Sequence, residues 1–156
     1  MATADHVPMI NPLKIYVRMK RTINFGVANR NPLNIRYSVA NRWLGQHPTS
    51  PQVKGFCRFL SFDHGYRAAI VLMKNYIELR GCNTPRSIVG RWAPPQENDT
   101  EIYLACVCGR SGLLPDELMR TDGMQIARLV AAMTRQETGL RVTPEYLQDL
   151  RERFGV

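Results

Sequence analysis

MQIARLVAAMTRQETG, residues 124–139, is the stretch from which the rest of the chain is read. Ile126, Leu129, Val130 and Met133 recur at the three- and four-residue spacing of one helix face, and Glu137 continues the stripe four residues after Met133. The pattern predicts a helix whose apolar face ends on a carboxylate. Thr138-Gly139 supplies a C-cap, which puts Glu137 in the last turn, where the negative end of the helix dipole disfavours a carboxylate. Partial burial and that dipole both push its pKa upward, and a glutamate kept protonated near neutrality is what general-acid cleavage of a glycosidic bond requires. The plainer reading stays open here: a frayed last turn, with Glu137 in water and paired to Arg141 at i+4.

Working outward, helical periodicity begins at Asp63, a candidate cap for a helix with Tyr66, Ala69, Ile70, Met73, Tyr76 and Ile77 on one side and a stop near Gly81. Thr84 caps a second helix with Pro85 at its first position, Ile88 and Val89 as apolar contacts, and an end at Trp92 before Ala93-Pro94-Pro95. Asn98 or Asp99 caps a third, with Ile102, Tyr103, Cys106 and Val107 as its inner face. Asp116 or Asp122 introduces the helix that leads to Glu137, and Thr143-Pro144 opens a last one over 145–154. Before Asp63 the pattern is different. Residues 1–12 read as a loose arm and 13–25 as an exposed strand, an edge strand protected by its basic residues, with helix as the alternative. A turn at 29–32 follows. NIRYSV, WLGQ and GFCRFLSF then suggest a small irregular sheet broken by Gly45, Pro48, Pro51 and Gly55. The expectation is one domain over 1–156 of α+β class, mostly α-helical, with a β-containing lobe at 13–62 and a helical lobe at 63–156.

Composition narrows the function classes. Hydrophobic residues at 44% and charged residues at 22% suit a soluble globular chain, and no apolar run is long enough to span a bilayer. MATADHVPMINPL has Asp5 and Pro8 where a secretory signal needs a basic patch and an apolar run. Synthesis in the cytoplasm without a Sec signal is therefore expected. The net charge is +8, and residues 1–62 hold nine lysines and arginines against Asp5 alone, while the remainder balances at twelve of each sign. Such a basic lobe attracts polyanions, whether nucleic acid through residues 13–58, an anionic membrane surface or the carboxylates of cell-wall peptides. Cys57, Cys82, Cys106 and Cys108 lack metal-ligand spacing, so buried thiols are expected, and neither a metal nor another cofactor is implied.

Asn34-Ile35-Arg36, Trp43-Leu44-Gly45 and Phe59-Leu60-Ser61-Phe62, followed by a helix rich in small and aliphatic residues, resemble the β lobe and following helix of bacterial glucosaminidases of the autolysin and flagellar-muramidase kind. The stretch IVGRWAPPQENDTEIY, residues 88–103, is similar to a region near the end of that family's domain, and the resemblance covers roughly residues 31–108. The chain also resembles small phage and prophage proteins with N-I-R, W-x-G, W-A-P-P-x-E-N-x-T and a C-terminal M-x-x-x-E-x-G, loosely described as virion structural proteins. The family's catalytic Glu closes a helix before the β lobe, in an E-S/T-G setting. Here the matching Glu137-Thr138-Gly139 comes after it, and a circular permutation of a lysozyme-like fold reconciles the two. The resemblance then implies that Glu137 packs beside the lobe at 31–62.

What the resemblance implies chemically is cleavage of β-1,4 bonds in peptidoglycan glycan strands, with Glu137 as the acid. No Asp or Glu lies between His6 and Phe62, so the β lobe supplies no second carboxylate. Either the substrate's own N-acetyl group or 6-hydroxyl acts as nucleophile, as in lytic transglycosylases, or Asp63, Glu97 or Asp99 reaches in. Glu97 precedes a helix N-terminus, where acidic side chains are stabilised in their charged form, so a capping role competes with a catalytic one. Trp43, Trp92 and Tyr103 are candidates to stack on sugar faces or to fill the core, and Asn34 and Arg36 to hydrogen-bond acetamido or carboxylate groups or to stabilise local turns. The expected place of action is the virion or the bacterial cell wall, with other virion proteins as partners. The alternatives are a catalytically dead glycan binder and a non-enzymatic virion structural or nucleic-acid-binding protein, although no recognised nucleic-acid-reading motif is present.

Overall fold

The computed structural model describes residues 25–156. The arm expected over 1–12 and the strand expected over 13–25 lie outside them, apart from Phe25, which is helical together with residues 26–28. A short antiparallel pair follows, β1 (Gln52–Val53) and β2 (Phe56–Cys57), with Gln52 opposite Cys57 and Val53 opposite Phe56. Isolated bridges from Arg36 to Phe56 and from Gln46 to Phe59 tie the preceding loops onto this hairpin. Five helices complete the described chain: α1 (Phe62–Arg80), α2 (Pro85–Trp92), α3 (Thr100–Ser111), α4 (Gln125–Glu137) and α5 (Pro144–Phe154). The fold is thus α+β and mostly helical. α4 lies at its centre, packed against α1, α3 and α5.

Local chemistry explains the helix ends. In α2, Thr84 and Ser87 form a reciprocal capping box around the proline at the first position, and Asp99 and Thr143 cap α3 and α5 through their side-chain oxygens. α1 and α3 stop at Gly81 and Gly112, both in the left-handed conformation that glycine adopts without steric cost. The cap of α1 corrects the expectation: Ser61, not Asp63, is extended and accepts the His64 backbone N–H, while Asp63 sits in the first turn. Neither Asp116 nor Asp122 starts α4. Each pairs with an arginine, Asp116 with Arg86 and Asp122 with Arg120, and Met124 precedes α4 with no side-chain cap. A residue from the far end of the chain holds the segment instead. Arg151, almost wholly buried, donates to the carbonyls of Thr121 at 2.6 Å and Gly123 at 3.1 Å.

The core runs from Leu33 and Ile35, through Phe59 and the inner faces of α1 and α2, to Ile126, Leu129, Val130 and Met133 of α4 and Leu147 and Leu150 of α5. In α3 the buried positions are Tyr103, Leu104 and Val107, and Ile102 turns outward, contrary to the expected face. Consecutive helical residues lie about 100° apart, so one face cannot hold both Ile102 and Leu104. The segment at 30–32 docks on α1 through a gap that only glycine allows. A Cβ on Gly65 would lie 2.2 Å from the Arg30 carbonyl oxygen and 2.7 Å from Pro32 Cδ. Gly65→Ala must push that backbone away, and we expect a loss of about 1–3 kcal/mol in urea unfolding, as for other overpacked sites. An unchanged midpoint would mean that the segment is not held against α1.

Burial also sets an alkaline limit. Desolvation pushes the hydroxyls of Tyr66 and Tyr76 up to about 12, with the charges of Tyr146 and Asp63 adding for Tyr66 and the Arg91 charge opposing for Tyr76. The unfolded chain releases these protons near the ordinary value of about 10, while the folded chain keeps them. Their contribution is therefore complete below about pH 10 and lost as pH rises towards 12. Melting temperature should fall steeply over that window, together with a delayed rise in tyrosinate absorbance. Titration of all tyrosines near pH 10 in the folded protein would contradict this.

Candidate functional site

Glu137 is the last residue of α4 and is buried, as its place on the apolar stripe predicts. The turn beyond it is held by Thr138, whose single Oγ–H lies within reach of two carbonyl acceptors, Pro32 at 2.9 Å and Thr134 at 3.0 Å. Gly139 then turns the chain with φ +74°. Asn34 Nδ2 approaches the Glu137 carbonyl at 3.5 Å, at the long end for a hydrogen bond. Asn34 itself sits in the left-handed region at φ +51°, which asparagine tolerates better than most residues. Gly26 closes this seam, because a Cβ there would meet Thr138 Cγ2 at 2.3 Å. Glu137 and Thr138 are therefore packed beside Gly26, Pro32 and Asn34, in the segment that precedes the hairpin.

Two side chains aim hydrogen bonds at one carboxylate oxygen. Trp92, the last residue of α2, donates Nε1–H to Glu137 Oε1 at 2.8 Å, and Tyr103, on the inner face of α3, donates Oη–H to the same oxygen at 2.9 Å. Each stabilises negative charge there, while the apolar surroundings and the helix C-terminus oppose it. Burial, followed by the charge and hydrogen bond of Glu137, raises the Tyr103 hydroxyl far above the ordinary tyrosine range, so it remains a donor throughout the neutral range. The stacking expected of these two rings is corrected: Trp92 is fully enclosed and Tyr103 nearly so, and neither presents a face to solvent. Their ring edges, rather than their faces, are directed at the Glu137 carboxylate.

The remaining candidates lie elsewhere. Arg36 stacks on Phe56 with its guanidinium carbon 4.9 Å from the ring centroid, and Trp43 is half-buried. Both line a cleft of about 400 Å³ together with Tyr37, Tyr76, Arg80 and Arg91. Glu97 occupies the turn before α3, and because Asp99 provides the cap, Glu97 does not. Of the other carboxylates considered, Asp63 accepts from Tyr146 Oη at 2.5 Å and pairs with Arg153 across the α1–α5 contact. A second, more open cleft of about 410 Å³ is edged by Arg110, Arg128, Arg135 and Arg141 from α3, α4 and the α4–α5 turn. All four cysteines are free thiols, and the described residues contain no cluster of His, Cys, Asp and Glu able to hold a metal. Among the described residues, no helix is long and apolar enough to cross a membrane.

No protein-family model matches the sequence. Over 116 residues, 73% of this chain and 71% of its relative, the sequence is 30% identical to Protein P5 of Pseudoalteromonas phage PM2. The chain belongs to the family of this phage protein. In this P5 relative, the fold gathers Glu137, Asn34, Trp92 and Tyr103, which the sequence offered as separate candidates, and sets Tyr76 and Arg91, which it did not offer, beside Arg36 and Trp43. The position of Arg91 next to Trp92 is the one available signal. With Trp92 turned inward, its neighbour in the helix must face another way.

Proposed function

We propose that this P5-family protein is a virion-associated, peptidoglycan-cleaving glycosidase or lytic transglycosylase of lysozyme-like architecture, with Glu137 as its general acid. The observation that carries the reading is the buried carboxylate fixed by Trp92 and Tyr103 on the seam between the helices and residues 32–34. Burial and the helix C-terminus disfavour the charged form of this carboxyl and so favour its keeping a proton, while the Trp92 and Tyr103 donors partly offset that and fix its direction. In the proposed reaction the Glu137 carboxyl gives its proton to the glycosidic oxygen as the C1–O bond breaks. The substrate's own acetamido oxygen or 6-hydroxyl captures the oxocarbenium-like carbon. The Glu137 carboxylate then recovers a proton from the incoming water or from that hydroxyl. This one-glutamate scheme suits the occupation of Asp63 and Asp99 by other partners. Clearing of a purified peptidoglycan suspension by the wild-type protein, and its loss in Glu137→Gln, tests the reading.

One observation favours a second reading, a virion protein that binds nucleic acid: four arginines edge the open cleft between α3 and α5, with no acidic residue lining it. If that cleft holds phosphates, Arg128→Ala with Arg141→Ala should weaken duplex DNA binding and reduce the slope of log affinity against log salt by about 2, since each neutralised phosphate adds about 0.9 to it. An unchanged slope would remove the cleft from consideration.

A further inference from the structure

The cleft between the β-containing lobe and α1 has a chemistry that the Glu137 site does not use. Its charged lining groups, Arg36, Arg80 and Arg91, are all cationic. Two hydrogen-bonding atoms of its lining side chains, Trp43 Nε1 and Arg91 Nε, are buried without a hydrogen-bond partner, and the Tyr76 hydroxyl beside Arg91 has no acceptor for its own proton. Tyr76 is 3% exposed, and its hydroxyl keeps its proton up to about 12, so it is available as a donor. The Arg91 guanidinium lies over the Tyr76 ring, 5.4 Å from its centroid, which holds its fork in place. Buried donors left unsatisfied are uncommon in folded chains, and a grouping of them in one concavity points to an acceptor supplied from outside. A cationic fork flanked by neutral donors matches a carboxylate, which has two oxygens and about four lone-pair positions to share.

We infer that this cleft is a carboxylate-binding subsite that takes an acidic group of the peptide stem carried by the glycan strand. The inference rests on the muralytic reading and specifies the substrate for it. Placement supports it. Arg91 lines the cleft while its neighbour Trp92 bonds to Glu137, and Arg36 lines it while Asn34, two residues earlier, touches the Glu137 backbone. The cleft and the acid thus share two chain segments, with Asn34 and Arg36 two residues apart in one and Arg91 and Trp92 adjacent in the other. A sugar at Glu137 would carry its peptide towards the arginines. The enclosed volume of about 400 Å³ suits one small acidic group better than a duplex backbone.

The test uses the full chain carrying Glu137→Gln, so that binding is read without turnover. The probes are a free stem pentapeptide and the same peptide with its carboxylates amidated, measured by calorimetry against three proteins: the parent, Tyr76→Phe and Arg91→Lys, each checked by thermal melting. We expect the parent to bind the acidic peptide at least tenfold more tightly than the amidated one, and each substitution to remove most of that difference. Tyr76→Phe removes only an oxygen, and Arg91→Lys keeps the charge but loses the fork. Equal affinity for the two peptides, or an unchanged preference in both variants, overturns the subsite. So does tighter binding of a short oligonucleotide than of the peptide when that binding is lost in Tyr76→Phe, because the cleft then reads phosphate. Clearing activity that depends on Glu137 but is accompanied by no peptide preference would sink the subsite alone. Peptide preference without any clearing would leave the subsite standing and sink the enzyme.

Discussion

Glu137→Gln should leave the circular dichroism spectrum and the folding cooperativity in place while lowering the rate of peptidoglycan clearing by about 100-fold or more, within the range typical for loss of a general acid. The substitution separates the two roles that the geometry allows. A glutamine amide oxygen can still accept from Trp92 Nε1–H and Tyr103 Oη–H, now at 2.8 and 2.9 Å from the carboxylate, so the structural hydrogen bonds persist. The transferable proton is gone. If Glu137 were only a clamp between α2, α3 and α4, the glutamine variant would clear at the wild-type rate and differ from it in stability alone; that result removes Glu137 as the acid. Glu97→Gln serves as the companion measurement. Glu97 lies in the turn before α3 and is not its cap, so only a partial effect is expected. Equal abolition by both, with intact folds, would replace the one-glutamate scheme with a two-carboxylate mechanism.

Trp92→Ala should cost about 3–5 kcal/mol in urea unfolding, the usual range for removing a buried tryptophan. Trp92 is the largest fully enclosed side chain, packed where α2 meets the core. Its removal leaves a cavity and also takes a donor from the buried Glu137 oxygen. Trp92→Phe is the informative partner, because it restores most of the volume without the N–H. A loss similar to that of alanine would assign the effect to the hydrogen bond; recovery of most of the stability would assign it to packing.

Features that depend on residues close together in the chain are legible in the sequence. The Thr84–Pro85 and Thr143–Pro144 starts, the Gly81 stop and the stripe from Ile126 to Glu137 all follow from spacing and local hydrogen-bond chemistry. Ser61 and Asp63 are both able caps, and the choice falls to the one whose backbone is extended. The start of α4 is hidden because its support comes from Arg151, about thirty residues further along the chain. Ile102 reads as inward because it is apolar, whereas the angular positions of Tyr103, Leu104 and Val107 determine which face of α3 is covered. The cleft has no local signature: Arg36 and Arg91 meet only after the β-containing lobe has docked on α1.

The seam at Thr138 has a consequence for timing. Its bond to Pro32 joins positions 106 residues apart, and the contact between Asn34 and Glu137 spans 103. Contacts of such separation bear a large loop-closure entropy and form late. During synthesis the segment at 32–34 and the first helices emerge before α4, so the carboxylate and the segment beside it meet only after those elements have been made. Nascent fragments therefore carry no assembled site. For a phage-family protein whose proposed substrate is a cell wall, the order of the elements delays assembly of the Glu137 seam until α4 has been made.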